Sequence, residues 1–236
     1  MNDEQINLQI TQILPSLKDA DSEVRLKAVQ KLGRLNHILT FEPLVEALGD
    51  EDFKVRGFAG DYLGRLGDIR AIEALTKALA THNWTPEANS AIGALVRFGE
   101  LGQQALLKAI ESDNWVTRMN AAHGLGWEKI KDGRSVNALI KALEDENWQV
   151  RFHAIDSLYT VGDERAIEPL IKALGRETEE NNAIQILLVL ERLAGKGVMP
   201  QLLKRVEISN SAVIERDFNL EYFVKQRINE VDDNPK

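Results

Sequence analysis

One apolar position recurs along the chain at a nearly constant interval, as Leu17, Leu48, Leu79, Ile110, Leu143 and Leu174, with spacings of 31, 31, 31, 33 and 31 residues. A period of this length decides the architecture before any single element is assigned, because a unit so short cannot bury its own apolar face and has to stack on its neighbours. Eight residues after each of these positions stand Arg25, Arg56, Glu87, Arg118, Arg151 and Asn182. Within residues 138–161, Leu139, Ile140 and Leu143 mark a short first helix, and Val150, Ala154, Ile155 and Leu158 mark a second, both at helical spacing. The reading is an all-α solenoid, an α-α superhelix of about six helix pairs. The units run over about 4–40, 41–71, 72–103, 104–135, 136–166 and 167–202, within a single domain of residues 1–236.

Asp21, Asp52, Asn83, Asn114 and Asn147 hold equivalent places before the second helices, where a short oxygen-bearing side chain caps free N–H groups. Gly33, Gly67, Gly99 and Gly162 follow those helices, where a left-handed terminating residue is expected. At the ends, residues 4–18 read as the first outer helix, and about 212–228, with Ile214, Phe218, Leu220, Phe223, Val224 and Ile228, as a closing helix.

Asp19, Asp50 and Asp145, six residues before their arginines, suggest ladders that tie one turn to the next. Net charge is -8, and no local basic strip stands out in the sequence to offset repulsion from a phosphate backbone, so nucleic acid is not an expected partner. With no cysteine the chain owns no disulfide, thiolate ligand or covalent thiol. The longest uncharged apolar run, 184–190, is far below the ~20 residues of a membrane span, and the acidic N-terminus lacks signal-peptide character. A cytoplasmic protein without a membrane partner is expected. The histidines at 37, 82, 123 and 153 form no metal-ligand spacing, and no phosphate loop or nucleophile elbow is present, so no metal and no permanently bound cofactor is expected.

An aromatic ring follows each capping position in the middle units: Phe53, Trp84, Trp115 and Trp148. Residues four and eight further along share that helix face, adding Met119, Phe152, Asp61, His123 and Asp156, with Tyr159 nearby. Stacked units turn these into an aromatic floor suited to a large, flat ligand. Rings packed as core against the preceding turn would repeat just as regularly. The ring is replaced by Ser22 and Glu179 in the end units, where the core positions persist, and this favours a binding face.

The segments Asn114-Trp115-Val116-Thr117-Arg118 and Asp-Glu-Asn-Trp-Gln-Val-Arg-Phe-His-Ala over 145–154, followed by Gly162-Asp163, resemble the HEAT-like repeats of phycobilisome lyases. The resemblance covers roughly residues 13–202. It implies a HEAT-like α-solenoid, a linear tetrapyrrole (phycobilin) as substrate, a phycobiliprotein subunit as partner, and a second HEAT-repeat lyase subunit as a cooperating chain. The implied activity is that of a bilin lyase subunit or bilin-handling chaperone; the alternative is a non-catalytic scaffold in phycobilisome assembly or degradation. A thiol of the partner adds to a vinyl or ethylidene carbon, so the enzyme has to hold the chromophore, orient its propionates and manage a proton. On this expectation Asp61, His123 and Asp156 are the candidate catalytic groups. Phe53, Trp84, Trp115, Met119, Trp148, Phe152 and Tyr159 stack on the ligand or partner, and Arg118 and Arg151 meet propionates.

Overall fold

The computed structural model describes residues 2–80, 86–127, 132–195 and 199–205, and every regular element among them is helical. The fold class is the expected one, an α-solenoid of HEAT-like helix pairs. The chain divides into two compact units, residues 1–124 and 125–236.

In the first unit the helices are α1 (Asp3–Ile13), α2 (Ser22–Leu35), α3 (Phe41–Ala47), α4 (Phe53–Leu66), α5 (Ala71–Ala78), α6 (Pro86–Arg97), α7 (Glu100–Ala109) and α8 (Trp115–Leu125). The long second helices pack in succession, α2 on α4 and α4 on α6, while the shorter α3, α5 and α7 form the other layer. The second unit repeats the plan with α9 (Gly133–Ala142), α10 (Trp148–Val161), α11 (Ile167–Leu174), α12 (Glu180–Ala194) and α13 (Met199–Leu203). There α10 packs on both α9 and α12.

The core of each unit is a column of repeated leucines. Leu44, Leu75 and Leu106 in the first unit, and Leu139 and Leu170 in the second, are all essentially inaccessible. Each such side chain stabilises the fold by about 1.5–3 kcal/mol relative to exposure. Small residues let the second helices cross closely: a Cβ added to Gly64 would lie 2.8 Å from the Ala94 Cα.

The caps follow the sequence reading where they can be seen. Asp21 accepts from the Glu23 amide, Asp52 from those of Lys54 and Val55, and Asn147 from that of Gln149. Asn114 accepts from the Val116 amide; Asn83 lies outside the described residues. Gly67 and Gly162 terminate α4 and α10 in the left-handed conformation. Gly33 does not, since α2 continues to Leu35 and Asn36 takes the left-handed turn. Gly33 is instead a docking point for the Tyr62 ring, which leaves no room for a Cβ. The expected 4–18 helix also breaks early: α1 ends at Ile13 and a 3-10 turn covers Leu14–Lys18. Pro15 explains the change, because it has no N–H to donate and its ring crowds the preceding turn. The closing helix expected over 212–228 lies outside the described residues.

The repeated arginine has one recurring geometry. Its Nη1 donates to the two carbonyls of the turn that precedes its helix: Arg25 to Asp19 and Ala20, Arg56 to Asp50 and Glu51, Arg118 to Ser112 and Asp113, Arg151 to Asp145 and Glu146. For Arg25 and Arg151 the other edge of the guanidinium reaches forward to a carboxylate of the next repeat. Arg25 grips Asp50 at 2.8 and 2.9 Å, and Arg151 grips Glu177 at 2.9 and 2.7 Å. Burial raises the Asp50 carboxyl, but the Arg25 hydrogen bond, the Asp52 amide and the charges of Arg25 and Arg56 outweigh it and hold the group below the usual carboxylate range.

Candidate binding face

Trp148, Phe152, Asp156 and Tyr159 fall at i, i+4, i+8 and i+11 of α10 and so share one face of that helix. Trp148 is 44% exposed and Tyr159 37%, while Phe152 and Asp156 are half-buried between them. The neighbouring α12 completes the surface. Gln185 donates from Nε2 to Asp156 Oδ1 at 3.3 Å, Leu188 is 47% exposed, and the Arg192 guanidinium lies 4.4 Å from the centre of the Tyr159 ring. The result is a two-helix apolar platform with one carboxylate at its middle, oriented by an amide, and one cation at its edge. Beneath it Asn182, fully buried, donates to the Trp148 carbonyl at 3.1 Å and anchors the start of α10.

The remaining residues expected at the site are placed differently. Phe53 opens α4 as an exposed ring, with Lys54 Nζ 6.0 Å above it, and Trp115 is half-buried at the start of α8. Trp84 lies outside the described residues. Met119 is 2% exposed, so its side chain is core and not ligand surface, which corrects the expectation for that position. Asp61 is held between Arg65 at 2.9 Å and Arg97 at 3.1 Å. His123 is half-buried on α8. The Ile92 side chain of α6 lies against Gly124 of α8, and Gly60 and Gly64 of α4 lie against α6. Helix α6 thus stands between α4 and α8, which at about 8–10 Å per helix contact separates Asp61 from His123 by roughly 16–20 Å. They do not form one small reaction centre. Both donor edges of Arg151 are engaged, as described above, and its side chain is only 15% exposed. Arg118 keeps the same grip on its turn carbonyls.

Sequence reasoning missed Gln185, Leu188 and Arg192. A signal was present: in the run Ile184 to Leu190 apolar residues occur all round the helix, so at least one has to face outward. Among the described residues no group of three or more His, Asp or Glu could hold a metal ion, and no helix is long and apolar enough to cross a membrane.

The profile of HEAT repeats matches residues 10–96 and 104–191, and the chain belongs to the HEAT repeat family. No curated protein is significantly similar to it in sequence. Among solved structures it is similar to the complex of CpcE and CpcF of phycocyanin lyase from Nostoc sp. PCC7120, at 19% identity over 95% of this chain and 83% of that one, with a TM-score of 0.40. It is also similar to an archaeal HEAT-like repeats protein from Thermococcus onnurineus NA1, at 12% identity over 95% and 97% with a TM-score of 0.44. Human deoxyhypusine hydroxylase matches at 18% identity over 78% and 84%, with a TM-score of 0.39.

Proposed function

We propose that this protein is a phycobilin lyase subunit or bilin-handling chaperone that presents a linear tetrapyrrole to a cysteine of a phycobiliprotein. The observation that carries the proposal is the α10–α12 platform, whose helix α10 begins within 145–154, one of the segments that resemble phycobilisome lyase repeats. Trp148, Phe152 and Tyr159 supply faces for stacking on pyrrole rings. Asp156, fixed by Gln185, accepts hydrogen bonds from pyrrole N–H groups, and Arg192 at the rim pairs with a propionate. The chemistry is a net addition: the partner's sulfur forms the C–S bond, its proton ends on carbon, and no oxidant is consumed. A chain without cysteine serves as well as any, because the nucleophile comes from the partner.

A second reading, a non-catalytic scaffold that grips a phycobilisome protein, is favoured by the placement of Asp61, whose carboxylate is tied to Arg65 and Arg97 as a strut would be. Titrating the purified protein with a linear tetrapyrrole separates the two. A shifted chromophore absorbance that is lost in Trp148→Ala, together with transfer to a partner cysteine alone or with a second HEAT-repeat subunit, supports the lyase reading. Binding of a phycobiliprotein with no response to bilin establishes the scaffold instead.

A further inference from the structure

The expectation that the chain lacks a basic strip fails on α2. Lys27, Lys31 and Arg34 fall at i, i+4 and i+7 of that helix, all exposed, and line one wall of a cleft of 520 Å³ between α1 and α2. The floor is apolar, formed by Ile13, Val24, Ala28 and Leu35, and no carboxylate lines the cleft. None of the three cations has an ion-pair partner among the described residues. Elsewhere in this chain of net charge -8, several exposed lysines, Lys18, Lys54, Lys77 and Lys172, are matched with glutamates. A covering of a single charge sign over an apolar groove selects for a partner of the opposite sign.

We infer that the α1–α2 cleft is a docking site for an acidic amphipathic helix of a partner protein. The groove runs between two helices, as do the grooves that later helices of the array occupy, so a helix seats its apolar stripe on Ile13, Val24 and Leu35. Glutamates or aspartates flanking that stripe meet Lys27, Lys31 and Arg34. Charge complementarity sets the partner's sign and orientation, and the apolar floor supplies the area. Nucleic acid fits less well, because three cations neutralise few phosphates, the floor offers them nothing, and the rest of the chain repels them.

The test uses the full chain and a fluorescent capped peptide of about 18 residues, helical by composition, with leucines at i, i+4, i+7 and i+11 and glutamates beside them. Wild-type protein should bind it, with affinity falling as salt rises from about 0.05 to 0.5 M. The Lys27→Glu, Lys31→Glu, Arg34→Glu triple variant should lose at least about tenfold, and a glutamine-for-glutamate peptide should lose as much against the wild type, with no dependence on any variant's folding. Trp148→Ala should bind the acidic peptide normally, which keeps this site separate from the bilin face. Equal binding of the glutamine peptide, or unchanged binding by the triple variant, overturns the inference. So does tighter capture of a single-stranded oligonucleotide than of the peptide. Self-association abolished by the same three substitutions would assign the cleft to a second copy of this chain and overturn it as well.

Discussion

Helices α4 and α10 occupy the same place in their repeats and begin alike, yet they present different surfaces. Each is capped by an Asx side chain, opens with an exposed ring, Phe53 at 48% or Trp148 at 44%, and carries the ladder arginine three residues later. From there α4 continues through Gly57 to Asp61, which is locked between two arginines, whereas α10 continues through Phe152 and Asp156 to Tyr159. The rungs differ too. Arg151 ends on Glu177, but Arg56 meets no carboxylate among the described residues, and its Nε is buried without a partner. By repeat spacing the position equivalent to Asp50 in the following repeat is Thr81, which lies outside the described residues. The repeat preserves what holds the array together and leaves the surface free to diverge, so function is to be sought where the two helices differ.

The strongest way to sharpen this contrast is at the rungs. The Glu177 side chain is 2% exposed, and besides Arg151 it accepts the Thr178 and Glu179 amides and the Asn182 amide group. Arg151→Ala strands that charge in the interior, where breaking a pair costs about 3–5 kcal/mol. Arg56→Ala removes hydrogen bonds to two carbonyls and a charge near Asp50 but leaves no buried carboxylate without its partner, and should cost about 1–2 kcal/mol. Chemical denaturation of both variants checks the difference. Equal losses would show that the forward carboxylate contributes nothing beyond the turn.

Next in size is the aromatic contrast. Trp148→Ala should weaken tetrapyrrole binding by about 2 kcal/mol, roughly thirtyfold, because the largest stacking ring is lost from the platform. Its melting temperature should change little, since Trp148 is already an exposed residue. Phe53→Ala, without a second ring on its helix face, should leave tetrapyrrole binding unchanged. Thermal unfolding and titration on the same samples decide the matter; a large loss of stability in Trp148→Ala with normal residual affinity would return the ring to the core.

The rungs and the platform were unequally legible. Repeat length, caps and the leucine columns depend on local spacing, and they emerged from self-comparison with few errors. The arginine ladder was anticipated, but its sixth-repeat partner was not, because Glu177 stands three residues after Leu174 where Asp50 and Asp145 stand two after theirs. Met119 lies only 40° around α8 from Trp115 at 100° per residue, and a helix seated among neighbours exposes too narrow a strip for spacing alone to resolve. The partners of the α10 face come from α12, across a helix contact that no sequence period encodes. The basic wall of α2 was hidden for a simpler reason: three cations in eight residues look ordinary until the absence of nearby carboxylates is visible.

Acid unfolding tests the first rung alone. Because the Asp50 carboxyl is held below its unfolded value, its contribution is present above the ordinary aspartate range near pH 4 and is lost as pH falls through the lower folded value. Asp50→Asn should therefore lower stability at neutral pH and flatten the acid limb of the stability profile below about pH 4. An acid limb identical to that of the wild type would remove Asp50 from the groups that drive acid unfolding.

The smallest expected effect falls on Asp61, where α4 and α10 differ most in charge. Its side chain is 28% exposed and its arginines about half exposed, so the pairs are screened, and Asp61→Asn should cost no more than about 1 kcal/mol of stability. A proton-transferring carboxylate behaves otherwise: its removal lowers rate by about 10²–10⁴ while leaving binding largely intact. Asp156 faces an uncharged amide within hydrogen-bond reach and stands among the rings. Chromophore transfer by Asp61→Asn should thus stay close to wild type, while Asp156→Asn loses at least about tenfold. Should Asp61→Asn lose about a hundredfold or more in rate with unaltered tetrapyrrole affinity, the reaction belongs to the α4 face, and the functional contrast between the two helices is reversed.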